Sequence, residues 1–239
     1  MQDLSDVKLL LFDVFGTVVD WRGSVAREVE ALGLGLAGAA FADAWRRRYL
    51  PSMQAVREGQ REWINLDGLH RENLQAVLDR FGVAQRLDET ALENLNRAWH
   101  RLEAWPDTAA GLQSLRARYT VSTLSNGNTA LLVNLSKHAG LTWDAVLCAE
   151  TFRAYKPDPR AYRSAVELFG LQPHQAMLCA AHAADLRAAA QCGLRTAYVD
   201  RPLEWGPDRR GDIPSATDRF DLESRDLRDL AAQLGCFSN

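Results

Sequence analysis

From residue 108 onward the chain alternates between two textures in a way few folds accommodate. Short strand-like segments, TVSTLSN (120–126), WDAVLCAE (143–150), QAMLCAA (175–181) and RTAYVD (195–200), are separated by segments with helical spacing. These are TALLVNLSKHAG (129–140), PRAYRSAVELFG (159–170) and ADLRAAAQCG (184–193), with TAAGLQSLRARY (108–119) before and SRDLRDLAAQLG (224–235) after. Strands that read as continuous apolar runs are buried on both faces, and their alternation with helices implies a parallel sheet sandwiched between helical layers. VKLLLF (7–12) has the same texture and supplies a further strand.

Between residues 22 and 103 the alternation stops. SVAREVEALG, FADAWRRRYLPSMQAVREG, LHRENLQAVLDRFG and DETALENLNRAWHRL all fit the helical period, and no strand is evident. Asp88 opens one of these helices, and Gly33 and Gly82 close two others. The expected organisation is α/β: a Rossmann-like, doubly wound parallel sheet core from residues 1–21 and 104–239, with a four-helix cap, 22–103, inserted after the first strand. The stretch 201–220, rich in Pro and Gly, reads as a surface loop.

Composition narrows the partners. With a net charge of −3 and no extended basic tract, the 239-residue chain offers no electrostatic footprint for nucleic acid or an anionic membrane. The opening residues, MQDLSDVKLL, lack the basic and apolar regions of a signal peptide, and no apolar run has the roughly 20 residues that span a bilayer. Cys148, Cys179, Cys192 and Cys236 form no CxxC pair. Reduced thiols in a cytoplasmic protein are expected. His70, His100, His138 and His174 read as surface residues.

In an open α/β sheet ligands bind beyond the carboxyl ends of the strands. Four polar clusters fall at such ends: Asp13 with Thr17, Ser125 with Asn126, Lys156, and His182 with Asp185. Each alone has a simpler explanation, as a helix cap, a turn or a loop lysine. Their conjunction at one edge points to a site. Lys156 is one of three lysines in a chain whose remaining fixed cations are arginines, which suits a point charge beside a carboxylate.

These clusters resemble the four motifs of the haloacid dehalogenase superfamily, in order and correctly spaced: FDVFGTVVD, STLSNG, YKPDPRAY and AAHAADLRAAAQCGLRTAYV. The helical insertion follows motif one, where that superfamily carries its cap. Phosphatases of the superfamily have a second Asp two residues after the first. Here that place holds Phe15, which neither transfers a proton nor binds a metal. The fourth motif offers only Asp185, so a Mg²⁺ site is not expected. An aromatic at this position is similar to the type II (S)-2-haloacid dehalogenases. A halide leaves without a proton, so neither a general acid nor a metal is needed, and no cofactor is expected.

The resemblance implies that Asp13 displaces halide from the α-carbon of a small (S)-2-haloacid, inverting it and forming an ester, which water then hydrolyses to a 2-hydroxy acid. Lys156 keeps Asp13 ionised. Ser125 and the amides just after Asp13, beginning with Val14, bind the substrate carboxylate. Thr17 orients Asp13. Arg46, from DAWRRRY, receives the halide with Asn126, although Arg47 and Arg48 stand close by. Phe15 either lines the pocket or packs in the core, with the second favoured; Tyr162 hydrogen-bonds within the site, and Asp185 positions the hydrolytic water. Dehalogenase motif four resembles SSNAWD; this chain has AAHAAD, with Ala180 lacking a hydroxyl, His182 in place of Asn and Ala184 in place of Trp. His182 is either a base or a hydrogen-bonding stand-in for that Asn, with the second favoured. A superfamily phosphatase or other hydrolase, and an idle carboxylate-binding member, are the alternatives. A homodimer through the cap is a further expectation.

Overall fold

The computed structural model describes residues 4–236. Residues 1–3 and 237–239, the outer ends of the two expected core segments, lie outside the described residues.

Six parallel strands form one sheet in the order β5-β4-β1-β6-β7-β8. They are β1 (Leu9–Phe12), β4 (Thr120–Ser125), β5 (Ala145–Cys148), β6 (Ala176–Ala180), β7 (Arg195–Val199) and β8 (Leu222–Ser224). β1 lies at the centre, pairing with β4 through Leu11↔Ser122 and with β6 through Leu11↔Leu178. All four of its residues are buried, which is why LLLF shows no alternation. The strand order departs from β1 in both directions, so the gap beyond its carboxyl end is where a ligand fits such a sheet.

Helices cover both faces. α5 (Thr108–Arg116), α6 (Thr129–His138) and α10 (Leu227–Gln233) carry leucines into a core shared with Phe12 and Val121. α8 (Pro159–Leu168) and α9 (Ala183–Gln191) pack with Leu9, Leu11 and Leu178 on the other face. A single turn, α7 (Ala149–Phe152), follows β5.

Two short strands, β2 (Val19–Asp20) and β3 (Glu103–Ala104), pair antiparallel, so the chain leaves the sheet and returns at one place. Between them run α1 (Trp21–Ala31), α2 (Gly38–Arg57), α3 (Leu66–Phe81) and α4 (Glu89–Asn96). Their ends follow local chemistry. Asp20, Asn65 and Asp88 each accept a backbone N–H in the first turn of the helix they precede. Gly82 ends α3 in the left-handed region at φ 69°. The helix expected over 88–102 stops at Asn96 and continues as a 3₁₀ turn, Arg97–His100.

Three expectations need correction. His70 and His100 are buried, not on the surface. His70 stacks on Trp99 at 4.3 Å, and His100 bonds Asp67 and Asn134. The 201–220 segment is largely exposed, but it folds Glu204 inside and ties Arg201 to Asp107. β8 was not foreseen because three residues are too few to show a period. No helix of the described residues is long and apolar enough to cross a membrane.

Candidate active site

β1 ends at Phe12, and the next residue, Asp13, emerges at the centre of the sheet's carboxyl edge. Its amide still bonds Cys179 of β6, so the carboxylate stands on paired backbone. Gly16 then turns the chain at φ 90°, and a Cβ there would collide with the Glu204 carboxylate. Asn126 follows β4, Lys156 follows β5 and α7, and His182 caps α9 directly after β6.

These residues converge. Lys156 Nζ donates to Asp13 Oδ1 at 3.0 Å and to Asp185 Oδ2 at 2.5 Å. Thr17 Oγ1 donates to Asp13 Oδ2 at 2.8 Å and accepts from the Ala181 amide, which locks its rotamer. His182 Nδ1 lies 3.1 Å from Asp13 Oδ2. Tyr162, on α8, donates to Asp185 Oδ1. The Asn126 side-chain oxygen accepts from the Lys156 amide at 2.7 Å, which leaves its NH₂ group to face elsewhere.

Burial alone would raise the Asp13 carboxyl, but Lys156 and a hydrogen bond from His182 outweigh it and hold Asp13 far below the ordinary carboxylate range. Burial would likewise lower Lys156, and the charges of Asp13 and Asp185 drive it above its usual value instead. Lys156 is 6% exposed, so an ammonium in place is a neighbour that no solvent screens well. Burial and the adjacent Asp185 raise the Tyr162 phenol, which therefore remains a donor.

A cavity of about 410 Å³ opens on this cluster, lined by Asp13, Asn126, Lys156, His182 and Asp185 from the sheet side. Arg46, Tyr49 and Leu50 of α2 close it from above, and Trp205 flanks it. Arg46 is half-buried, with its guanidinium 4.0 Å from the Tyr49 ring centre and 5.3 Å from that of Trp21. Its Nη1 is buried with no hydrogen-bond partner among the described residues. Arg47 and Arg48 are exposed, with Arg47 at the cavity rim.

Other expected residues lie behind this lining. Ser125 Oγ accepts from the Gly127 amide. Val14 packs in the core by its side chain, which leaves only its backbone to meet a ligand. Phe15 is 1% exposed, edge-on to Trp99 at 5.8 Å and to Tyr49 at 6.4 Å. It joins the strand exit to the helices above rather than forming cavity wall. Among the described residues no group of three or more His, Cys, Asp or Glu side chains is arranged to hold a metal ion.

Neither Glu204 nor Trp205 stood out in the sequence. Glu204 is 2% exposed, accepts from Trp21 Nε1 at 2.9 Å and lies 3.0 Å from His182 Nε2. A lone Glu in an aperiodic loop carries no signal of where the loop folds back. Burial would raise Glu204, but the His182 charge and hydrogen bond lower it overall.

A buried carboxylate paired with a lysine, at the tip of the central strand of a parallel sheet and under a helical insertion, places the chain among α/β hydrolases. The family model of haloacid dehalogenase-like hydrolases matches residues 7–193, and the chain belongs to that family. Within it, the chain resembles L-2-haloacid dehalogenases. The structure of PA0810, an L-2-haloacid dehalogenase, is 49% identical and superposes with a TM-score of 0.91, covering 95% of this chain and 99% of that one. The defluorinating L-2-haloacid dehalogenase Rha0230 is 46% identical, with a TM-score of 0.92 and coverage of 96% and 95%. The (S)-2-haloacid dehalogenase of Xanthobacter autotrophicus is 31% identical over 197 residues, covering 82% of this chain and 76% of the relative. A structure of the L-2-haloacid dehalogenase from the same organism, with chloropropionic acid covalently bound, superposes with a TM-score of 0.83 at 25% identity, covering 97% and 100%.

Proposed function

We propose that this protein hydrolyses short (S)-2-haloacids to 2-hydroxy acids of inverted configuration, without a metal or cofactor. The observation that carries the reading is the buried Asp13–Lys156 pair facing a cavity, with Phe15 where a second carboxylate would otherwise stand. The named relatives support the same substrate class.

Asp13 attacks the α-carbon, the C–halogen bond breaks, and the halide leaves with the bonding electrons. A carboxylate is a weak nucleophile in water but an effective one when desolvated and aimed. Lys156 keeps it charged and helps neutralise the substrate carboxylate, which the amides near Val14 and the loop from Ser125 receive. Arg46 Nη1 and the Asn126 NH₂ are the donors left over for the halide. Asp185, oriented by Lys156 and Tyr162, activates the water that opens the ester. No step runs through a metal: the ammonium of Lys156 already bridges the two aspartates.

The domain division belongs to the same proposal, with residues 22–103 as the cap and 1–21 with 104–239 as the core. So does a cytoplasmic setting, which four free cysteines suit. A homodimer through α2 would cover Leu50, 63% exposed.

The test is turnover of 2-chloropropionate in ¹⁸O-water without metal, followed by mass analysis of the Asp13 peptide. Isotope in that carboxylate and loss of turnover in a folded Asp13→Asn variant are expected. Absence of halide release from any short haloacid refutes the reading. Mg²⁺-dependent cleavage of a phosphate ester would instead place the protein with the phosphatases.

A further inference from the structure

The start of α6 breaks a local rule. Asn128 stands at its N-cap, where an Asn side chain ordinarily accepts an amide of the first turn, and no such bond forms. Asn128 is 2% exposed, and its Oδ1 has no partner among the described residues. Its Nδ2 donates to Asp67 Oδ2 of α3, in the cap, at 2.8 Å. Residues that give up a local bond for a distant one cluster where function needs the distant one.

Asp67 is the middle of a chain of hydrogen bonds that runs from the core into the cap and back. Asn134 Nδ2, on α6, lies 3.0 Å from His100 Nδ1, and His100 Nε2 lies 3.0 Å from Asp67 Oδ1. Burial would raise the Asp67 carboxyl, but hydrogen bonds from His100 and Asn128 lower it below its ordinary value. As a carboxylate Asp67 only accepts, so His100 donates from Nε2 and takes the Asn134 amide at Nδ1.

The residues before Asp67 make parallel ties. Asn65 Nδ2 donates to Glu150 Oε1 at 3.2 Å, and Glu150 Oε2 accepts the Thr129 amide, the first of α6, at 3.0 Å. The hydroxyl of Tyr155, which precedes Lys156, donates to the Ile64 carbonyl at 2.8 Å. Residues 64–67 thus grip both loops that bring Asn126 and Lys156 to the cavity. Within the first loop, Ser125 Oγ accepts from the Gly127 amide and Asn126 Oδ1 from the Lys156 amide. Those bonds set the loop's shape, and Asp67 sets its place against the cap. That spacing matters because Arg46 comes from the cap and Asn126 from the core.

We propose that Asp67 is a positioning residue for departure of the halide: by holding Asn128 from the cap, it fixes the Asn126 amide opposite Arg46, so that both donors meet the leaving ion. This inference rests on Asp13 being the nucleophile and on Asn126 being a halide donor. As the carbon–halogen bond breaks, its electron pair goes to the halogen and no proton moves. Donors fixed in advance stabilise that charge as it forms, whereas donors that must first be drawn into place spend part of the gain on reorganisation. Asp67 does not line the cavity, so it acts through the loop.

The experiment compares single turnovers of 2-chloropropionate and 2-bromopropionate, with halide and hydroxy acid followed separately. In Asp67→Ala, chloride release slows about 10-fold or more, because the Asn126 loop is no longer fixed opposite Arg46. Bromide release slows less than about 3-fold, because the larger ion spreads its charge and depends less on hydrogen-bond donors. Ester hydrolysis stays within about 3-fold of wild type. A loss of folded protein would lower all these rates together. Asn128→Ala gives the same pattern, and the double variant is no slower than the slower single one, since both remove one bond. Asp67→Asn recovers most of the loss. Its oxygen still accepts from Asn128, and its NH₂ meets His100 once that ring carries its proton on Nδ1 and Asn134 turns its amide oxygen inward. Hydrogen exchange checks the placement without activity: amides of residues 125–129 exchange about 5-fold faster or more in Asp67→Ala. Equal slowing for chloride and bromide overturns the proposal, as do additive effects of the two single substitutions or unchanged exchange over 125–129. Absence of halide release by wild type would instead refute the dehalogenase reading itself. Should Asp67→Ala fail to fold, Asn128→Ala carries the comparison of chloride with bromide.

Discussion

Replacing Lys156 by Met tests how the site is held together. The ammonium is 3.0 Å from one carboxylate oxygen and 2.5 Å from another. At an effective dielectric of about 20, one such pair 3 Å apart is worth about 5–6 kcal/mol before desolvation is subtracted. Met fills the volume but leaves Asp185 without its cation and Asp13 with only His182. Removing one partner of a buried ion pair costs about 3–5 kcal/mol. For a chain of this size that lowers the melting temperature by roughly 6–20 °C. The pH dependence follows from the shifts. Asp13 is depressed in the folded state, so its contribution is present above its ordinary 3.8 and is lost as pH falls below that. Lys156 is raised, so its contribution is full below its ordinary 10.5 and is lost only above it. The stability gap between wild type and Lys156→Met, measured by urea unfolding, is therefore flat from about pH 5 to 9 and narrows below about pH 4. A gap under about 1 kcal/mol at pH 7 would show that Lys156 is not the counter-charge. A gap that closes between pH 6 and 8 would assign the effect to another group.

Two further substitutions probe the surroundings. Phe15→Asp puts an unpaired carboxylate between Tyr49 and Trp99, at a position 1% exposed, and should cost about 3–5 kcal/mol in thermal or urea unfolding while yielding no Mg²⁺-dependent phosphatase activity. Arg46→Lys retains charge but loses the planar contact over Tyr49, and halide release in a single turnover should slow about 10-fold or more; an unchanged rate would remove Arg46 from the halide site.

Much of the core could be read in the sequence because each element carries its own signal. LLLF and MLCA are buried on both faces, so their apolar runs stand out. Asp88 and Gly82 sit at helix ends whose geometry their own side chains, or lack of one, impose. The strand-tip residues Asp13, Asn126, Lys156 and Asp185 were legible for a related reason: a parallel sheet gathers the residues after its strands at one edge. His70 and His100 were misread because the helical period reports which face is apolar and not whether polar members of that face find partners inside. His100 finds Asp67 and Asn134, while His70 is held by ring stacking. Burial lowers His70 to about 3, so it packs as a neutral ring.

The sequence by itself determined the α/β architecture, the place of the helical insertion and the gathering of Asp13 and Lys156 at the mouth of the sheet. These follow from interactions local in the chain or fixed by strand order. Which arginine of Arg46, Arg47 and Arg48 turns inward was decided only in three dimensions, by the rings of Tyr49 and Trp21. The state of His182 was decided there too. Its proton depends on Glu204, 22 residues away, brought inside by a loop whose composition says only that it turns, and on Asp13, 169 residues away across the sheet. A charge reports its neighbours in space, and those contacts exist only once the chain has folded.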